Sequence, residues 1–256
     1  MTKKLEGKVA ILTGAAPGGI GEAYARGLAE SGASVVVADL NLAGAEAVAA
    51  ALTADGLNVV ATQVNVTDED SAAAMVKFAV ETYGGVDILV NNAAMMSDVP
   101  KDGLMDITID MWNTVNGVNV TGPLICSRAV VPEMIKRGGG KIVMQCSAAA
   151  FLPGSVYRLS KHGLFALTAG LAVELGPKNI NVNGIAPGLV MSEAGFKSAG
   201  AAGTEKRESR YAGIPHARPD RPPTDLVPTL LLLASDEGDF IHGQTINVDA
   251  GWVIRL

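Results

Sequence analysis

Tyr157 and Lys161 stand four residues apart in YRLSK, a spacing that stacks them on one face of a helix. A tyrosine phenol alone titrates near ~10, too high for proton exchange close to neutrality. An ammonium one turn away favours the phenolate, so the pair makes a tuned proton donor or acceptor. A second stretch, TGAAPGGIG at residues 13–21, has the glycine density of a phosphate cradle. Asp39 follows Gly21 by 18 residues, where a carboxylate at a strand end can accept hydrogen bonds from both hydroxyls of an adenosine ribose. That carboxylate repels a 2′-phosphate, and no arginine or lysine lies between Thr13 and Gly21 to attract one. NAD is therefore expected over NADP. Each motif taken alone has a plainer reading: a turn of small residues, a packed tyrosine, a solvated lysine.

Positioning these groups requires a sheet whose strands all end on one side. KVAILTG at 8–14 and SVVVAD at 34–39 are apolar runs closed by glycine or aspartate, the pattern of buried parallel strands. The stretch between them ends at Gly32 and reads as a helix with a glycine stop. The alternation continues with a helix over Leu42 to Ala54, a strand over Val59 to Val66, a helix from Asp68 to Tyr83 and a strand over Asp87 to Asn91. A long helix to Arg137, a strand GKIVMQCS, a helix from about Tyr157 to Leu175, and strands NINVNGI and QTINVDAG complete it. Strictly alternating elements predict an α/β fold, a doubly wound, mostly parallel Rossmann sheet with helices on both faces. Ligands of such folds bind beyond the carboxyl ends of the strands, and TGAAPGGIG occupies the first turn there, on the N–H groups that open a helix.

The 256 residues are 48% hydrophobic and carry no linker or low-complexity tract, so a single domain over 1–256 is expected. A formal charge of −6 and a pI near 5.1 argue against nucleic-acid phosphates or anionic lipids as partners. Two cysteines, Cys126 and Cys146, make no disulfide framework, and MTKKLEGK has no signal-peptide stretch. A reduced, cytoplasmic protein without a membrane span is the expectation. His216 and His242 have no second ligand at metal spacing, so no metal is assigned. His162 follows Lys161 but faces a different side of the helix.

TG with clustered glycines, NNAA at 91–94, VNVTGP with Asn119, a serine closing GKIVMQCS, YRLSK and NGIAPG at 183–188 occur in one order along the chain. In that order they resemble the short-chain dehydrogenase/reductase family, over essentially the whole length. The resemblance implies that Tyr157 is the acid/base, that Ser147 holds the substrate oxygen, and that Lys161 tunes the tyrosine and holds the nicotinamide ribose. Asn119 would orient a water linking Lys161 to solvent. Ser147 as a satisfied strand-end hydroxyl and Asn119 as a helix-kink cap are the plainer alternatives. On the cofactor side the resemblance implies Gly14, Gly18, Gly19, Ile20 and Gly21 for the diphosphate, with Asp39 for the ribose. Asn65 and Val66 would border the adenine, Asn91 and Ala93 support the cofactor, and Pro187, Gly188, Val190 and Ser192 receive the carboxamide.

Two departures from the family pattern stand out. The loop reads T-G-x-x-x-x-G-x-G, one residue longer than usual, with Pro17 in the extension and Gly18 able to absorb it at positive φ. Ser147 and Tyr157 are only ten positions apart, a tight connection that makes Ala148, Phe151, Leu152 and Val156 candidates for an apolar wall of the substrate pocket. Residues 193–222 break the alternation and read as a substrate lid, with Phe196, Tyr211 and Ile214 as apolar contacts; Met95 and Met96 are adaptable gap fillers. The implied reaction interconverts a secondary alcohol and a ketone. The rivals are an NADPH-type ketone or 3-oxoacyl reductase and a non-catalytic NAD-binding sensor. A homotetramer, with a dimer as alternative, is implied by the resemblance and by the apolar positions Leu124, Val130, Met134, Leu164, Leu167 and Leu171, which cover more than one stripe of their helices.

Overall fold

The computed structural model describes residues 3–100, 103–192, 214, 216 and 221–254. Among these, seven strands form one parallel sheet in the order β3-β2-β1-β4-β5-β6-β7. They are β1 (Val9–Thr13), β2 (Ser34–Asp39), β3 (Val59–Gln63), β4 (Ile88–Asn91), β5 (Gly140–Gln145), β6 (Ile180–Pro187) and β7 (Thr245–Val248). Alternate side chains of each inner strand feed two separate cores, as the two-residue period of a strand requires. Ile11, Val36 and Leu89 point into one layer with α3 (Glu69–Tyr83), α5 (Gly122–Lys136) and α6 (Val156–Leu175). Ala10, Leu12, Val35, Val37 and Ile88 point into the other, with α1 (Ile20–Glu30), α2 (Leu42–Ala54) and α7 (Val227–Ala234). This is the expected doubly wound α/β architecture, in a single domain.

Strand order reverses at β1, which pairs with β2 on one side and with β4 on the other. Consecutive crossovers leave this point in opposite directions, so a crevice opens beyond the ends of β1 and β4. The helices are stopped and started by local chemistry. Asn41 Oδ1 accepts from Gly44 N to open α2, Asp68 caps α3 through Ser71 N at 2.9 Å, and Gly84 ends α3 at φ 85°.

Three boundaries differ from the sequence pattern. The third strand stops at Gln63 rather than Val66, because Asn65 folds its carboxamide onto Thr67 N and Oγ1. The last strand ends at Val248, where Asp249 accepts from Gly251 N and Val253 N and Ala250 takes φ 57°. The long helix ending near Arg137 is interrupted: α4 (Ile109–Asn116), capped by Thr108, runs into a π-helical turn over Gly117–Thr121 before α5. Helix α7, VPTLLLLA, has almost no polar residue and therefore no helical period to read. Val130, Met134, Leu164 and Leu171 are buried in the core of this one chain, whereas Leu124 and Leu167 are only partly buried against it. Among the described residues no helix is long and apolar enough to cross a membrane.

Candidate functional site

The glycine loop is shaped by two close approaches at the crevice. Gly14 turns the chain at φ 76°, and a Cβ there would stand 2.5 Å from Ala93 Cα. A Cβ on Gly21 would stand 2.1 Å from Gly14 O, so side chains at either position would force β1, β4 and α1 apart. Asn92 Nδ2 donates to Gly14 O, while Thr13 Oγ1 accepts from Asn92 N and Ala93 N, each at 3.2 Å. The TG and NNAA segments are thereby tied into one rim. Gly19 is the N-cap of α1 with no side chain over it, which leaves the first N–H groups of the helix facing outward where an anion is stabilised. Gly18 absorbs the extra residue at φ 70°, and its N–H donates to Glu22 Oε2 at 2.7 Å. Such an uncovered glycine-lined helix start is chemically suited to a diphosphate.

Asp39 ends β2 partly exposed. Its Oδ1 accepts from Asn41 N at 2.9 Å, leaving Oδ2 for a ribose. Val66 is buried against Gly122, and the Asn65 carboxamide oxygen serves its own turn. Asn91 is turned away from the crevice: its Nδ2 lies among Ser127 Oγ, Pro123 O and Met144 Sδ, so its side chain holds β4 to α5 and β5. On the far side of the crevice β6 ends at Pro187. A Cβ on Gly188 would meet Asp249 Cα at 2.7 Å, Val190 packs on the α1 side of the sheet, and Ser192 is buried.

Ser147 and Tyr157 meet despite the short connection. Ser147 follows β5 and opens a 3-10 turn over Ala148–Phe151, its Oγ accepting from Ala149 N at 3.2 Å. Tyr157 lies in the first turn of α6, with the Ser147 side chain near enough to favour its phenolate. Lys161, one turn further, is 2% exposed, and its Nζ donates to Gln145 O at 2.7 Å. That ammonium lies 5.9 Å from the centre of the Tyr157 ring. Burial pushes the phenol up to about 12, although the nearby Ser147 side chain works in the opposite direction. Burial likewise lowers Lys161 to about 8. The spacing alone suggested that Lys161 would bring the tyrosine down. In the folded chain desolvation of the phenolate is the largest influence on the part-buried Tyr157.

Asn119 sits on the π-helical turn, a distortion often found at functional sites. Its Oδ1 accepts from Met95 N at 2.8 Å, and its Nδ2 donates to Met95 O at 3.1 Å and Ser160 Oγ at 3.0 Å. Ser160 in turn donates to Tyr157 O. Asn119 thus clamps the segment after β4 to the helix carrying Tyr157.

Of the expected pocket wall, Ala148 and Val156 are buried, at 0% and 1% exposure, at the start of the 3-10 turn and of α6. Phe151 packs edge-on against Phe165 at 4.7 Å and against His162, so its ring is engaged with α6. Leu152 keeps an accessible surface. Of the lid, Phe196, Tyr211 and most neighbours lie outside the described residues; Ile214 is buried, and His216 N donates to Ala250 O. His242 bridges α6 and β6, with Nε2 on Ala172 O and Nδ1 accepting from Val182 N. Residues that the sequence reading passed over include Thr13 and Asn92, and Gln145, whose carbonyl holds Lys161 and whose Oε1 accepts from the buried Tyr24 hydroxyl at 2.9 Å. Cys146 adjoins Lys161 as a neutral thiol pushed up to about 11 by burial. The doubled asparagine beside TG was a usable signal for the rim; nothing in the pattern pointed to Tyr24.

A glycine-lined helix start, a carboxylate at the next strand end and a Ser–Tyr–Lys cluster on one side of a parallel sheet define a dinucleotide-dependent oxidoreductase. Comparison with known proteins agrees. The family model described as "Enoyl-(Acyl carrier protein) reductase" matches residues 14–253. An uncharacterised oxidoreductase of Mycobacterium tuberculosis is 48% identical over 250 residues, 98% of this chain and 99% of that one. Human dehydrogenase/reductase SDR family member 4 is 39% identical over 262 residues, 100% of this chain and 92% of that one. The crystal structure of a short-chain type dehydrogenase/reductase from Mycobacterium marinum matches at a TM-score of 0.87 and 29% identity, covering 99% of this chain and 98% of that one. The chain belongs to the short-chain dehydrogenase/reductase family, whose members bind a nicotinamide cofactor.

Proposed function

We propose that the protein is an NAD-dependent dehydrogenase that interconverts a secondary alcohol and a ketone. The observation that carries this reading is the grouping of Ser147, Tyr157 and Lys161, with Lys161 one helical turn beyond the tyrosine, beside an uncovered glycine loop. Ser147 orients the substrate oxygen, and Tyr157 exchanges a proton with it. Lys161 holds the ribose nearest the chemistry, while Asn119 keeps the α6 helix in register with the segment after β4. Bound nicotinamide supplies or takes the hydride. Gly14 and Gly18 to Gly21 seat the diphosphate and Asp39 the adenosine ribose, with Val66 and Ala93 lining that side and Pro187 to Ser192 closing the other. A substrate lid over 193–222, a homotetramer and a cytoplasmic location complete the proposal.

An NADPH-linked 3-oxoacyl or ketone reductase is the second reading, favoured by the acyl-carrier wording of the family model and opposed by Asp39. The test is calorimetric binding of NAD and NADP, followed by turnover on cyclic, aliphatic, aromatic and steroidal secondary alcohols. NAD-linked oxidation that falls by about a hundredfold or more in Tyr157→Phe is expected. Preference for NADP would move the second reading to the front, and tight NAD binding with no turnover would indicate a sensor.

A further inference from the structure

Tyr24 belongs to the apolar layer that packs α1 on the sheet, together with Leu12, Val90, Val143 and Ile185. It is fully buried, one turn beyond the Gly19–Gly21 start of α1, and its hydroxyl donates to Gln145 Oε1 at 2.9 Å. Burial holds this phenol neutral, well above its ordinary range, so it serves only as a hydrogen-bonding group. A buried hydroxyl–amide pair adds little stability that apolar side chains of the same shape would not supply. What it adds is direction, because it fixes Gln145.

Gln145 is the last residue of β5 and is 6% exposed. β5 pairs with β6 as far as Gln145, opposite Ile185, whereas its pairing with β4 ends one residue earlier, at Met144 opposite Asn91. Past that last rung the Gln145 carbonyl accepts from Lys161 Nζ at 2.7 Å. Gln145 is thus gripped at both ends, its side chain by the helix whose start suits a diphosphate and its main chain by the lysine of the Ser–Tyr–Lys cluster. The titratable groups facing Lys161 are Cys146, next along the chain from Gln145, and Tyr157 on its own helix; both stay neutral near pH ~8.

We infer that Tyr24 is a positioning residue for Lys161: through Gln145 it holds the carbonyl on which the ammonium rests, and it thereby ties the helix that seats the dinucleotide to the group that meets the nicotinamide ribose. The inference rests on the reading, above, that Lys161 holds that ribose. It is tested with Tyr24→Phe and Gln145→Met, each close in volume to the residue it replaces, and with the two combined; Lys161→Met is the control. The first readout is the titration of Lys161 in the ligand-free protein, followed by NMR at its ε-carbon, with Lys161→Met identifying the signal. The second is the dissociation constant of NAD, and of NADP, measured by calorimetry from pH ~6 to ~9.

A carbonyl that has lost its orientation favours the ammonium less, so the Lys161 midpoint, at about 8 in the unmodified chain, is expected to fall by about 0.5 to 1 in pH in either single variant. The combined variant should fall no further, because the two side chains act as one link. Affinity for the nucleotide is then expected to weaken about twofold to fivefold at pH ~8 and hardly at all at pH ~6, a pattern that a general loosening of the core does not produce. If both single variants lower the unfolding midpoint yet leave the Lys161 titration where it was, the pair is packing only and the inference is wrong, while the ribose reading stands. If nucleotide binding by the unmodified protein does not follow the Lys161 titration, the ribose reading fails and the inference falls with it.

Discussion

Lys161 offers a prediction whose size follows from its surroundings. The ammonium is 2% exposed, bonded to one main-chain carbonyl, and lowered by burial to about 8. The titratable groups facing it, Cys146 and Tyr157, are raised to about 11 and about 12 and stay neutral through this range. In the ligand-free protein Lys161 is then about nine-tenths protonated at pH ~7 and about one-tenth at pH ~9. If NAD binds the form carrying the ammonium, its dissociation constant rises about tenfold between those values, a loss of about 1.4 kcal/mol. At pH ~8 binding should draw about half a proton from the buffer. Calorimetry in two buffers of different ionisation enthalpy measures both quantities. Lys161→Met removes the titration while filling similar volume, at the cost of leaving Gln145 O without its donor, about 1–3 kcal/mol. A dissociation constant that stays flat across this range, or a proton uptake that survives in Lys161→Met, refutes the reasoning.

Other expectations follow from single contacts. Gly21→Ala puts a methyl 2.1 Å from Gly14 O, so the rim must open; the NAD-induced rise in unfolding midpoint should vanish, and the chain should lose about 1–3 kcal/mol in a urea melt. Asn119→Ala strands the Met95 N–H and C=O and is expected to cost about 1–3 kcal/mol, read in the same melt. Alcohol oxidation should speed up as pH rises, because a neutral phenol must give up its proton to act as base, and ketone reduction should slow. Opposite slopes in the two directions are the check, and equal slopes would remove Tyr157 from the proton transfer.

How much of this was readable beforehand divides by the range of the interaction. Strands such as VAILT and SVVVAD announced themselves because both faces of a parallel sheet are buried, and the order of elements sufficed for the doubly wound topology. Asp68 acts within its own first turn, as caps do. Helix α7 left no pattern because its whole circumference is apolar, and the π-helical turn at Asn119 left none because a one-residue widening changes hydrogen bonding, not residue type. The short stretch from Ser147 to Tyr157 could be counted, but the 3-10 turn over Ala148–Phe151 that takes up the slack could not be read from it.

The catalytic cluster shows the same division in its protons. In model peptides tyrosine, near ~10, ionises just before lysine, near ~10.4. In the folded chain the order is reversed and the gap widened, with Lys161 at about 8 and Tyr157 at about 12. Raising the pH of the ligand-free protein therefore removes the ammonium before it creates a phenolate, and the resting site stores its proton on the tyrosine. A neutral phenol beside Ser147 is an acid ready for a carbonyl oxygen. Its use as a base for an alcohol depends on positive charge being brought close enough to reverse the desolvation. Four residues of spacing decide which side chains meet, and burial decides which of them gives up its proton first.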